Sequence, residues 1–259
     1  KTYIAPFVNA EAPEYLVVED SFPNGRPPLE KAGVYMTDRD TVNLSERMKV
    51  TACLNPIHSA LCTFARLLDY EFFADCMKDK ELSELAKQVG YVEGLPVVKD
   101  PKIISPEKFL DEVINVRFPN PYLGDTSARI ATDISQGLAF RFGETIKAHV
   151  AKDGTAENLN AIPLAIAGWL RYLLAVDDEG NNFELSPDPM LDELKAKLSG
   201  IELGKPESAD GKLKPILSNA NIFGSDLYKA GLGDRTEELF KEELAGIGAV
   251  RATLHKHLA

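Results

Sequence analysis

Two short β-forming runs, residues 15–18 (YLVV) and 33–36 (GVYM), stand before residue 46. Between them lies SFPNGRPP (21–28), a string of turn formers. Two strands do not make a stable sheet alone. They need a partner sheet that the rest of the chain does not obviously supply. From Glu46 onward helical patterning dominates, with candidate helices near 46–78, 81–89, 106–115, 125–150, 156–176, 188–198 and 234–257. In the last of these, Leu239, Phe240, Leu244, Ile247, Val250 and Leu254 recur at helical spacing. The expected fold class is mainly α: a multi-helical domain, 47–259, with a short β appendage, 1–46.

At 259 residues and 44% hydrophobic content the chain can bury a large core. Its net charge of −11 argues against a nucleic-acid partner, which needs a basic face. The longest apolar stretch, 161–176, contains Pro163 and Arg171 and is too short to span a bilayer, so it reads as a buried core helix and no membrane role is expected. Cys53, Cys62 and Cys76 form no CxxC and cannot all pair, which points to a reducing compartment, the cytoplasm. No secretory leader is visible, and the chain opens on Lys1 rather than Met, as a processed protein or an excised fragment would.

Other motifs offer little. No GxGxxG or GxxxxGK[ST] is present, and the glycine pairs at 231/233 and 246/248 read as helix ends or close packing. His255 and His257 stand without clustered co-ligands, so no metal site is expected and the terminus reads as a solvated tail. The acid-rich stretch 177–193 reads as a solvated surface, and Trp169 as core.

Chemistry concentrates in ERMKVTACLNPIH (46–58). Lys49, Asn55 and His58 are polar residues among Val50, Ala52, Cys53, Leu54, Ile57, Ala60 and Leu61. Asn55 and His58, three apart, share a face on a helix. A buried lysine has a lowered pKa and can act as a base, while an amide and an imidazole beside it could hold an alcohol or carbonyl oxygen. A structural alternative is that Asn55 caps a helix, Pro56 opens it and His58 is a core residue.

A lysine followed a few residues later by Leu-Asn-x-x-His, here Lys49 and then Leu54-Asn55-Pro56-Ile57-His58, resembles the catalytic signature of the polyol-specific long-chain dehydrogenases, the mannitol dehydrogenase family. The resemblance extends to VEDSFPNGRPPLEKAGV (18–34), RFPNP (117–121), Asp125-Thr126, RIATD (129–133), RFGETIK (141–147), Phe223-Gly224 and GLG (231–233). It thus covers nearly the whole chain and is nearest to the fructuronate-reducing branch.

The resemblance implies an N-terminal nucleotide-binding domain upstream of Lys1 and a helical C-terminal domain, with the site between them. Residues 1–46 would then be strands and loop completing the missing domain. It implies hydride transfer between NAD or NADP, bound mainly by that absent domain, and a sugar acid or polyol, without metal. D-fructuronate and D-mannonate are the first candidates. Tagaturonate and mannitol are alternatives within the family, and a non-catalytic helical interaction domain of the same ancestry is the alternative outside it. By position, Lys49 exchanges the proton of the reacting hydroxyl, Asn55 and His58 hold its oxygen, Glu46 gates proton passage, and Arg129 contacts the far end of the substrate. Around Arg129, residues 126–152 carry four Lys/Arg against two acids, which suits an anionic sugar. The chain alone is expected to be inactive.

Two departures stand out. The family places Asn and His five and eight residues after the lysine, but here the offsets are six and nine. One extra residue turns a regular helix by about 100°, so a kink or π-bulge before Pro56 is expected to absorb it. The family lysine eight residues beyond the arginine is replaced by Gly137. Arg117, Asn120 and Asp125 read as organisers of a loop, and Arg26 as a structural residue of its turn.

Overall fold

The computed structural model describes residues 15–259. The two strands, β1 (Val17–Glu19) and β2 (Tyr35–Thr37), pair in parallel, with Val17 opposite Tyr35 and Glu19 opposite Thr37. A 3₁₀ turn, Leu29–Ala32, carries the chain between them. Arg26 braces this connection with a fork onto Asp20, both bonds 2.7 Å, and a 2.6 Å bond to Glu30. Tyr15 ties the appendage to the helices: its hydroxyl donates to Ser45 O at 3.1 Å and its ring meets Phe109 edge-on.

The helical part runs α1 (Arg39–Met48), α2 (Asn55–Leu67), α3 (Phe73–Cys76), α4 (Lys80–Lys87), α5 (Pro106–Glu112), α6 (Ser127–Ile130), α7 (Ile134–Arg141), α8 (Gly143–Asp153), α9 (Ala161–Tyr172), α10 (Leu191–Lys197), α11 (Lys214–Leu217), α12 (Ala220–Phe223), α13 (Gly233–Glu243) and α14 (Ala249–Leu258). The apolar stretch foreseen as a core helix is α9, buried along its whole length and lying between α2 and α13. Gly168 permits the α2–α9 contact, since a Cβ there would stand 2.4 Å from the Phe64 ring. No described helix is long and apolar enough to cross a membrane.

Three expected helices are divided. The 46–78 pattern breaks into α1, a π turn, α2 and α3. The 125–150 pattern breaks where Asp133 takes a left-handed φ of 53°. The 234–257 pattern breaks at Gly246 and Gly248, with φ of 152° and 77°, so two helices replace one.

The acidic stretch is less solvated than its composition suggests. Asp178 is buried and accepts from the N–H groups of Val250 and Arg251 at 2.8 and 3.0 Å, capping α14. Asp188 accepts from Ser135 N at 2.8 Å, at the start of α7. Nor is the C-terminus a solvated tail. His255 Nδ1 lies 3.1 Å from Glu81 and His257 Nε2 lies 2.8 Å from Glu242. Charged groups there are paired by packing of α14 against α4 and α13, which a linear reading could not anticipate.

Candidate active site

The polar cluster is built on the junction between α1 and α2. Residues Lys49–Cys53 form a π turn, and Leu54 N donates to Lys49 O at 3.1 Å, five residues back rather than four. Leu54 then leaves the helical region, with φ −138° and ψ −65°. The cause is local. Pro56 has no N–H to donate to Ala52 O, and its ring clashes with a carbonyl four residues back. At about 100° per residue, nine regular residues would set Lys49 and His58 on opposite faces. The wide turn takes up one residue, so the pair is offset as if eight residues apart.

A wide turn leaves carbonyl groups outside the regular ladder. Buried Thr145 answers one of them, donating through Oγ1 to Thr51 O at 3.0 Å. A second π segment, Gln88–Gly94, packs against the first, with the Cβ direction of Gly94 pointing at Ala52 Cβ from 3.4 Å. The buried Glu93 carboxylate of that segment accepts from Asn160, Ala161 and Ile162 N–H at 2.6, 2.7 and 2.8 Å. It thereby caps α9 and fixes the second wide turn behind the first.

Asn55 does not cap α2. Leu54 holds the cap position without a side-chain bond, and Asn55 is the first helical residue, before Pro56. Among the described residues neither the Asn55 carboxamide nor the Lys49 ammonium has a hydrogen-bond partner. Lys49 is half-buried, less enclosed than its apolar neighbours suggest. Glu46 sits one turn before it on α1 and is exposed.

His58 is the enclosed member. Its ring packs edge-on against Phe73, with centroids 5.1 Å apart, and lies tilted against Phe118 at 4.7 Å. Nε2 lies 3.5 Å from Asp125 Oδ2, beyond good hydrogen-bond length, and has no full partner among the described residues. Burial pushes the His58 pKa down, Asp125 pulls it up, and the Arg117 and Arg141 cations push it down again. The imidazole is therefore held neutral.

Asp125 is the residue that motif reasoning undervalued. The sequence groups it with Arg117 and Asn120 as a loop organiser, and Asn120 does cap the turn Pro121–Leu123. But Oδ2 faces both His58 and Arg117, the latter at 3.8 Å, while Oδ1 pairs with Arg129. The His58 ring, then the Arg129 and Arg117 cations, hold its carboxyl below the usual range. Arg129, expected at the far end of a substrate, is exposed and engaged with this carboxylate. Arg141 carries no role in the sequence motif RFGETIK, yet it reaches α2 and donates to Ser59 Oγ at 2.8 Å.

An amine, an amide and a neutral imidazole thus flank one wide turn, the amine and the amide without hydrogen-bond partners among the described residues. Such a set can hold one oxygen atom through a change of charge.

The family model described as the mannitol dehydrogenase C-terminal domain matches residues 42–241. The chain belongs to the mannitol dehydrogenase family. It is 57% identical to the D-mannonate oxidoreductase of Thermotoga maritima over 259 residues, 99% of this chain and 48% of that protein. It is 33% identical to the D-mannonate oxidoreductase of Escherichia coli over 211 residues, 82% of this chain and 40% of that protein. A Pseudomonas fluorescens mannitol 2-dehydrogenase, solved as a ternary complex with NAD and D-mannitol, superposes with a TM-score of 0.77 at 26% identity, covering 93% of this chain and 45% of that one. The chain therefore spans about half the length of the relatives it matches. Its mainly helical fold with a two-stranded appendage is the fold of that half.

Proposed function

We propose that this chain is the catalytic and substrate-binding part of an NAD(P)-dependent oxidoreductase that interconverts D-fructuronate and D-mannonate. Lys49 exchanges the proton of the reacting hydroxyl. Asn55 and His58 donate to its oxygen and stabilise the alkoxide charge that develops. Glu46, one turn before the lysine and open to solvent, passes the proton onward. Asp125 sets a carboxylate beside the His58 ring and faces Arg117 and Arg129 as well. When bound, the nicotinamide takes up or delivers the hydride. Its main binding site lies in an N-terminal domain that the two-stranded appendage, described from Tyr15 onward, helps to complete. That domain is the macromolecular partner, the substrate is a small sugar acid, and the reaction belongs in the cytoplasm.

The observation that carries this reading is the Leu54-to-Lys49 bond of the wide turn. The longer spacing, which alone would favour a non-catalytic domain of the same ancestry, is taken up there, so the family offsets are kept in effect. The high identity to D-mannonate oxidoreductase over this half favours a sugar acid over mannitol. The test is turnover by the full-length protein on fructuronate, tagaturonate and fructose with NADH and NADPH. Fructuronate reduction should dominate, and failure on all three substrates would leave only the interaction-domain reading.

A further inference from the structure

Gly137 and Arg141 lie one turn apart on α7. Long side chains on a helix lean back toward its N-terminus, so Arg141 folds over the Gly137 position. A Cβ built at Gly137 would stand 2.6 Å from Arg141 Nε and 2.8 Å from Cζ. The guanidinium therefore fills the volume that any side chain at 137 would claim. From that place Nη1 reaches Ser59 Oγ, which in turn donates to Asn55 O at 3.1 Å. Asn55, His58 and Ser59 share one face of α2, so this cation stands on the face that carries the amide and the imidazole.

No carboxylate pairs with Arg141 among the described residues, and burial depresses its pKa. Asp125, the carboxylate that faces His58, is committed to Arg129 and Arg117 instead. A partly buried guanidinium without a counter-ion carries an uncompensated desolvation cost, which an anionic ligand would relieve. The cation that seemed lost at position 137 is replaced from four residues away.

We infer that Arg141, delivered across Gly137 onto the Asn55–His58–Ser59 face, binds the carboxylate of the substrate and sets its preference for an acid over a neutral sugar. This rests on the oxidoreductase reading and adds the group that selects within it. A side chain at 137 works against this device even when it is basic, because it displaces the guanidinium already there.

The test uses full-length protein carrying Arg141→Met, Arg141→Lys, Gly137→Ala or Gly137→Lys. Steady-state kinetics give the ratio of kcat/KM for fructuronate over fructose, and calorimetry gives D-mannonate affinity without turnover. Arg141→Met should lower the ratio and weaken mannonate about 10- to 100-fold, the loss of one charge-assisted contact. Arg141→Lys should recover part of the loss, and Gly137→Ala should lower the ratio with no charge removed. A purely structural role would depress both substrates together and leave the ratio unmoved, which overturns the inference. So would improved mannonate binding in Gly137→Lys, or wild-type protein that binds no mannonate. Wild-type protein that binds mannonate through Arg141 yet reduces neither ketose would sink the oxidoreductase reading and leave the carboxylate site standing.

Discussion

Replacing Glu93 should separate the structural support of the wide turn from its chemistry. Its carboxylate accepts three N–H groups at the start of α9, and two of them, on Ala161 and Ile162, belong to buried residues. Glu93→Ala strands those two donors. Each stranded buried group costs about 1–3 kcal/mol, so the loss is about 2–6 kcal/mol, a large part of the total stability of an ordinary domain. Glu93→Gln keeps one accepting oxygen for Asn160 and Ala161 but turns an NH₂ toward the Ile162 donor, for a loss of about 1–3 kcal/mol. Burial also pushes the Glu93 pKa up despite its hydrogen bonds. The folded chain therefore binds this proton more tightly than the unfolded one, and the contribution of Glu93 falls as pH rises from 4.5 through the folded value. Gln removes that slope. Urea unfolding of this chain, followed by far-UV circular dichroism at several pH values, measures both effects. A Glu93→Ala variant as stable as wild type, or a Gln variant weaker than Ala, would refute the capping argument.

Two further outcomes follow from the same geometry. Thr145→Val removes the donor to Thr51 O inside the wide turn and should cost about 1–3 kcal/mol in urea unfolding, with a larger drop in full-length kcat than a surface Thr→Val change gives. His58 is held neutral by burial, so its contribution to stability is complete above the ordinary value of 6.5 and shrinks as pH falls below it. His58→Gln should flatten that part of the stability–pH curve, read from thermal melts between pH 5 and 7; an unchanged slope would mean the ring is not shielded.

Much of the site was legible because its signals are covalent. Pro56 removes a donor wherever it stands, and the six-residue interval from Lys49 to Asn55 can be counted, so the non-α turn between them was foreseeable. The π segments Gln88–Gly94 and Val113–Arg117 were not, although Pro96 and Pro119 stand two residues beyond them, because no interval between site residues there could be counted against a regular helix. Breaks at Asp133, Gly246 and Gly248 were hidden under continuous apolar periodicity, because left-handed residues leave no mark on a hydrophobic pattern. Asp125 looked like a loop residue because its partners come from different elements: His58 on α2, Arg117 on a π turn and Arg129 on α6. Gly137 read as the loss of a cation, and only the fold shows what fills the space.

The account stands most directly on the proton carried at Lys49, and full-length protein with Lys49→Ala measures it. Reduction of fructuronate should slow about 10²- to 10⁴-fold in kcat, the usual reach of a general acid or base, and added methylamine should restore part of the rate. Turnover within a few-fold of wild type, with no response to the amine, would contradict it.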